Sequence, residues 1–156
     1  MGLLLKIKAI QLAQPYETAE DAIMAKKILI IEDNAAHPTL NLEAINYQVL
    51  GATTASEGLA KALDLNPDFI LMDLNMPDSN GFDLCKTMRT YNELRQTPIV
   101  IFSTENKLKN MVTAYEMGAN YYIVRGDEDD RVLTFIIETF FTRAPRKNPN
   151  LTQYSV

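Results

Sequence analysis

From Lys27 onward the chain alternates two apolar patterns. Short continuous runs of strand length are followed by stretches in which apolar residues recur at the helical period. Lys27-Ile28-Leu29-Ile30-Ile31 reads as a buried strand that ends abruptly in Glu32-Asp33-Asn34. A helix should follow, with Pro38 near its first turn. Gln48 to Thr53 reads as a second, weaker strand. Thr54-Ala55-Ser56-Glu57 has the form of a capping box opening a helix, with Leu59, Ala60 and Leu63 expected on its inner face and Asn66-Pro67 as its stop. Phe69 to Met72 is a third strand, ending in Asp73. Met76 to Gly81 is turn material, after which Phe82, Cys85 and Met88 recur at helical spacing.

Pro98 opens a fourth strand, Ile99 to Phe102, ending in Ser103-Thr104. Leu108, Met111, Val112 and Tyr115 form an i, i+3, i+4, i+7 face, with Gly118 as the expected stop. Tyr121 to Val124 is a fifth strand. A last helix follows, with Asp127 to Asp130 at its start and Arg143, Arg146 and Lys147 past its end, both suited to the helix dipole. It carries Val132, Leu133, Phe135, Ile136, Ile137, Phe140 and Phe141, more apolar residues than one buried stripe requires. Strands alternating with helices predict an α/β fold, a doubly wound five-stranded parallel sheet with helices on both faces. In such a sheet the functional site lies beyond the carboxyl ends of the strands. That rule selects Glu32, Asp33, Asp73, Ser103 and Arg125.

The chain's 156 residues suit one folded domain. We expect an N-terminal extension over 1–25, the domain itself over 26–143 and a polar, proline-containing tail over 144–156. With 15 basic and 20 acidic side chains the net charge is −5, which disfavours nucleic acid as a partner. No apolar run approaches the length of a membrane helix, and Lys6 and Lys8 interrupt the apolar start, so neither a membrane partner nor a signal peptide is expected. The single cysteine, Cys85, forms no intrachain disulfide, and a cytoplasmic location is the simplest expectation.

Glu32, Asp33 and Asp73 would meet at one edge of the sheet. Clustered carboxylates repel unless a cation offsets them, and hard oxygen donors with open positions suit Mg²⁺. A carboxylate at a strand end can also attack phosphorus and form an aspartyl-phosphate. Ser103 and Arg125 could then hydrogen-bond the phosphoryl oxygens. Taken singly, any of these acids is as well explained as a cap or solvated loop charge.

The stretch from Lys27 to about Thr142 resembles the receiver domain of two-component response regulators, the CheY-like family. The residues that carry the resemblance are Ile30-Ile31-Glu32-Asp33-Asn34, Leu71-Met72-Asp73-Leu74-Asn75-Met76-Pro77 with Gly81, Ile101-Phe102-Ser103-Thr104, and Gly118-Ala119-Asn120-Tyr121-Tyr122-Ile123. The resemblance implies strand order 2-1-3-4-5, with Asp73 as phosphoacceptor for a sensor histidine kinase or phosphotransfer protein. It implies Glu32 and Asp33 as the acidic pair that holds Mg²⁺ with Asp73, and Asn75 as a main-chain carbonyl ligand. Ser103 would be the switch hydroxyl and Tyr122 the switch aromatic. Pro77 and Gly81 would shape the loop after the acceptor. The chain departs from the family at Arg125-Gly126, where lysine followed by a cis proline is usual. Arginine keeps the charge but is longer and planar.

The expected activity is that of a phosphorelay signalling module, whose only chemistry is its own Mg²⁺-dependent phosphorylation and dephosphorylation. The expected partners are a kinase or phosphotransfer protein, a downstream protein target and a second copy of the chain. No output domain is expected after the tail, which suits the single-domain type. The alternative is a degenerate receiver acting as a phosphorylation-independent interaction module. A haloacid-dehalogenase-type phosphatase needs a second Asp two positions after the nucleophile, where this chain has Asn75. A nucleotide-binding enzyme needs a glycine-rich phosphate loop after the first strand, where this chain has acids. His37 is expected at the surface near a helix start and Cys85 on an apolar helix face.

Overall fold

The computed structural model describes residues 25–33, 47–126 and 129–142. The helix expected after the first strand, His37, the extension before residue 25 and the tail from 143 lie outside the described residues. The elements are β1 (Lys26–Ile31), β2 (Tyr47–Ala52), α1 (Ala55–Leu65), β3 (Phe69–Met72), α2 (Gly81–Thr90), a 3-10 turn (Asn92–Leu94), β4 (Ile99–Ser103), α3 (Leu108–Glu116), β5 (Tyr121–Val124) and α4 (Asp129–Thr142).

The five strands form one parallel sheet in the order β2-β1-β3-β4-β5. β3 is four residues long and buried throughout, which is why it reads as an unbroken apolar run. Side chains alternate across the sheet with period two. Leu29, Ile31, Ile70, Met72, Ile99 and Ile101 pack with Ala62 of α1, Cys85 and Met88 of α2 and Ala114 of α3. Ile28, Ile30, Phe69, Leu71, Val100 and Phe102 pack on the other face with Leu133 and Ile137 of α4. Helices therefore cover both faces, as the alternation of elements predicts.

Two helices differ in detail from their sequence pattern. In α1 the Thr54 hydroxyl accepts from Glu57 N at 3.1 Å, as a capping box requires, but the Glu57 carboxylate reaches back to Thr53 N at 2.8 Å, one residue further than the motif. Its buried positions are Ala55, Gly58 and Ala62, with Leu59 and Leu63 partly covered and Ala60 exposed. The small residues face inward because α1 lies close on the sheet. In α3 the apolar stripe is turned outward: Leu108, Val112 and Tyr115 are exposed, and Ala114 is the buried contact.

The end of the sheet away from the strand carboxyl termini is tied together by Arg89. Its Nε donates to Gly118 O at 2.9 Å, its Nη1 to Leu94 O and Thr97 O at 2.7 Å each, and its Nη2 to Asn120 Oδ1 at 2.9 Å. Asn120 Oδ1 also accepts from Ile99 N at 2.8 Å. One guanidinium thus joins α2, the 3-10 turn and the entries to β4 and β5. Gly118 has φ +100, and a Cβ there would stand 2.8 Å from Arg89 Cγ, so glycine is required on two counts. Arg89→Ala is expected to cost about 2–3 kcal/mol, since it leaves several acceptors without their charged donor. Urea unfolding measures this, and a loss below about 0.5 kcal/mol, the level of an ordinary surface change, contradicts the hub.

Candidate functional site

Parallel pairing brings the strand carboxyl ends to one edge in fixed register. Ile31 is opposite Met72, Met72 opposite Ile101 and Ser103 opposite Val124. The next backbone groups continue the ladder: Glu32 N donates to Ala52 O at 3.0 Å, Asp73 N to Ile31 O at 2.9 Å and Arg125 N to Ser103 O at 2.9 Å. Glu32, Asp73, Ser103 and Arg125 therefore stand along one rim, with Asp33 one residue out from Glu32.

The alternation of side chains sorts them. Glu32 continues Ile28 and Ile30, Asp73 continues Phe69 and Leu71, and Arg125 continues Ile123, all toward the α4 side. Ser103 continues Ile99 and Ile101 toward the side of α1–α3, where Tyr122 also packs. Glu32 is only 3% exposed, and a carboxylate so deeply buried requires a partner. Arg125 is one partner, its Nη2 2.5 Å from Glu32 Oε2. The guanidinium rests on the Phe102 ring, 4.5 Å from its centroid. Removing one member of such a buried pair typically costs about 3–5 kcal/mol.

Asp73 is half-buried. Its Oδ1 accepts from Leu74 N at 2.6 Å, and its Oδ2 has no hydrogen bond to the described residues. The loop beyond it is closed by Gly81 N donating to Leu74 O at 2.7 Å. A Cβ at Gly81 would lie 2.7 Å from the Asp73 carbonyl oxygen, so glycine is what permits α2 to start against the backbone of Asp73. Asn75 and Asn80 pair as an isolated antiparallel bridge, which holds the Asn75 main chain at the rim.

Ser103 is fully buried, and its Oγ accepts from Glu105 N at 3.3 Å. The Tyr122 hydroxyl donates to Glu105 O at 2.7 Å, so the ring is turned in toward the β4 end. Burial pushes the Tyr122 phenol above its usual pKa, against a lowering by the Ser103 hydrogen bond, and the Glu105 and Asp73 charges push it further up.

The resemblance implies magnesium, which takes hard oxygen donors. Asp33, Asp73 and the Asn75 carbonyl offer hard oxygens on adjacent strand ends, which fits a cation that keeps several waters. Glu32 is held by Arg125, and among the described residues no three acidic, histidine or cysteine side chains are gathered as a metal site.

Two contributors escaped sequence reasoning. Phe102 supports Arg125, and Asp78 crosses from the β3–α2 loop to α1. The Asp78 carboxylate accepts from Ala55 N at 2.7 Å, Ser56 N at 2.9 Å and Ser56 Oγ at 2.6 Å. Asp78 reads as ordinary turn residue, and only the fold brings it to a helix start. Cys85 is buried, which pushes its thiol up to about 11 and leaves it a packing residue.

The family model of the response regulator receiver domain matches residues 28–137. The chain is 36% identical over 102 residues to the transcriptional regulatory protein ResD of Bacillus subtilis, covering 64% of this chain and 41% of that one. It is 34% identical over 105 residues to the chemotaxis protein CheY1 of Helicobacter pylori, covering 64% of this chain and 84% of that protein. Among solved structures it resembles the chemotaxis response regulator CheY4 of Vibrio cholerae, with TM-score 0.68, 26% identity and coverage of 74% and 98% of the two chains. A rim of acids and a hydroxyl at the ends of a 2-1-3-4-5 sheet defines a receiver fold. The chain belongs to the response regulator receiver domain family of two-component signalling. It spans about half the length or less of the first relatives it matches.

The hydrogen bonds from Ser56 and Ala55 hold the Asp78 carboxyl at about 2, below its usual 3.8. Its contribution to stability is complete above pH 3.8 and fades as pH falls toward 2. The stability difference between the wild type and Asp78→Asn should therefore shrink across that window. Urea unfolding from pH 5 to pH 2 measures it, and a constant difference contradicts the assignment.

Proposed function

We propose that Asp73 accepts a phosphoryl group from a histidine kinase or phosphotransfer protein, and that the added charge switches a protein-binding surface. The observation that carries this reading is the state of Asp73: one oxygen is held by Leu74 N, the other has no hydrogen bond to the described residues, and the backbone is locked between β1 and the α2 turn. An oriented carboxylate oxygen at a strand end is a suitable nucleophile. The Oδ2–P bond forms as the donor's N–P bond breaks, and the electron pair stays with the donor imidazole.

Asp33, Asp73 and the Asn75 carbonyl would hold Mg²⁺, and the bound cation would neutralise charge on the phosphoryl group. Arg125 has a buried Nε without a hydrogen bond among the described residues, so its fork retains a donor for a phosphoryl oxygen. Ser103, held at 3.3 Å by Glu105 N, exchanges that weak contact for a phosphoryl oxygen. Tyr122 follows, because its hydroxyl is anchored on Glu105. The surface that reads the change is apolar: Leu108, Val112 and Tyr115 on α3, Tyr121 on β5, and Val132 and Phe135 on α4 are exposed. A target protein or a second copy of the chain would dock there. No helix of the described residues is long and apolar enough to cross a membrane, and we place the protein in the cytoplasm.

A second reading, a receiver kept as a phosphorylation-independent interaction module, rests on one observation: Glu32 is engaged by Arg125. Incubation with acetyl phosphate and Mg²⁺, followed by intact-mass analysis, separates the two. The expected result is a single phosphoryl adduct, lost in Asp73→Asn and on removal of Mg²⁺ by chelator. An unmodified wild type would support the second reading.

A further inference from the structure

The second half of α4 lies over the amino ends of the strands. Phe140 meets Phe69, the first residue of β3, at 5.6 Å between ring centroids, and Tyr121, the first of β5, at 5.7 Å. Phe141 meets Tyr47, the first of β2, at 5.2 Å. Beside these rings an apolar groove runs between β5 and α4, lined by Tyr121, Phe135, Ile136, Thr139 and Phe140. Tyr121 is 40% and Phe135 69% exposed, so the groove opens to solvent with an aromatic side chain on either wall. Lys26 stands opposite Tyr47 in the β1–β2 register, so the chain before β1 enters the fold at this same end of the sheet.

We propose that residues 3–12, outside the described residues, dock in this groove of their own chain and shield it. The stretch holds Leu3, Leu4, Leu5, Ile7, Ile10 and Leu12, six large aliphatic side chains in ten residues, and leaving them in water is unfavourable when an apolar groove lies within reach. It also holds Lys6 and Lys8 and no acid, whereas the whole chain carries −5, so its approach to the domain is electrostatically favoured. Ala13 to Ala25 join it to β1, and these thirteen residues span about 40 Å when extended. The strands β1 and β5 are three strand spacings apart, about 14 Å, so the tether is long enough. A tether of this kind holds the segment at about 1 mM, so a contact too weak to recruit a separate molecule suffices within one chain. That favours the chain's own segment over a second copy or an outside protein. The tail after α4 starts at the same end of the sheet, but its large apolar residues are only Leu151, Tyr154 and Val156, beyond two prolines. Tyr121 and Phe135 also belong to the surface proposed above for a target, so the segment and a target exclude each other there. That consequence rests on the proposed function, whereas the docking is independent of it.

The test uses the full chain without phosphodonor. The protein has no tryptophan, so Leu5→Trp supplies a single reporter in the segment. A contact with a dissociation constant of about 0.1 mM, set against about 1 mM of tethered segment, keeps about nine molecules in ten docked. The reporter is therefore expected to emit to the blue of a solvated indole and to be quenched by acrylamide about fivefold less than one. Adding Phe135→Asp should release it to the solvated values at an unchanged circular dichroism spectrum, since Phe135 is a surface residue. If that variant does not fold, Thr139→Asp replaces it. Leu12→Trp reads a second position, and solvated emission from both reporters overturns the proposal and leaves the groove to an outside target. Blue emission that persists in the groove variants also overturns it, because the segment is then buried elsewhere. A blue shift that grows with protein concentration makes a second copy's segment the occupant and overturns docking within one chain. Tyr154→Trp reads the tail, and a blue shift there that Phe135→Asp abolishes, with residues 3–12 solvated, makes the tail the occupant and overturns the proposal.

Discussion

β3 is the strand from which the site is built. It has four residues, all buried, and it is hydrogen-bonded to β1 on one side and β4 on the other. A strand so enclosed cannot slip, because a one-residue shift would turn every apolar side chain to the wrong face. Asp73 is its next residue, so the position of that carboxylate is set by the core. The same register fixes Glu32 beyond β1 and Ser103 at the end of β4. The cost is that the Glu32 carboxylate is held in a low-dielectric interior, and the Arg125 side chain offsets part of it.

The two sides of the sheet carry different parts of the account. The α4 side holds the charges, Glu32, Asp73 and Arg125, with Phe102 beneath the guanidinium. The side of α1–α3 holds Ser103 and Tyr122, which lead through Glu105 to α3 and its exposed apolar residues. In the proposed function a charge event on one side would be read by a hydroxyl and an aromatic on the other. The Asp78 tie between the acceptor loop and α1 keeps the loop from absorbing that event by simply moving away.

Much of this was legible in the residues. β3 matches its apolar run to the residue and β4 to within one, because fully buried strands cannot hide a polar position, and the partly buried β5 and β1 match to the residue and to within one. The edge strand β2, mostly half-buried, was weaker and shifted by one residue. Periodicity showed that α3 has an apolar stripe but not that the stripe faces out, since a period carries no direction. The grip of Arg125 on Glu32 was illegible for another reason. The two are 93 residues apart, and their meeting depends on strand order, side-chain parity and the Phe102 floor together. Chain position suggested instead that Glu32 belongs with the other acids.

The central claim is that charge at Asp73 is relayed by Ser103 and Tyr122 to the exposed face of α3 and β5. Hydrogen–deuterium exchange, with and without acetyl phosphate and Mg²⁺, tests it most directly in the wild type and in Asp73→Asn. The account predicts changed protection across Ser103 to Val124 in the phosphorylated wild type and none in the variant. A wild type that carries the phosphoryl mass yet exchanges unchanged over that segment, or a variant that responds equally, would contradict it.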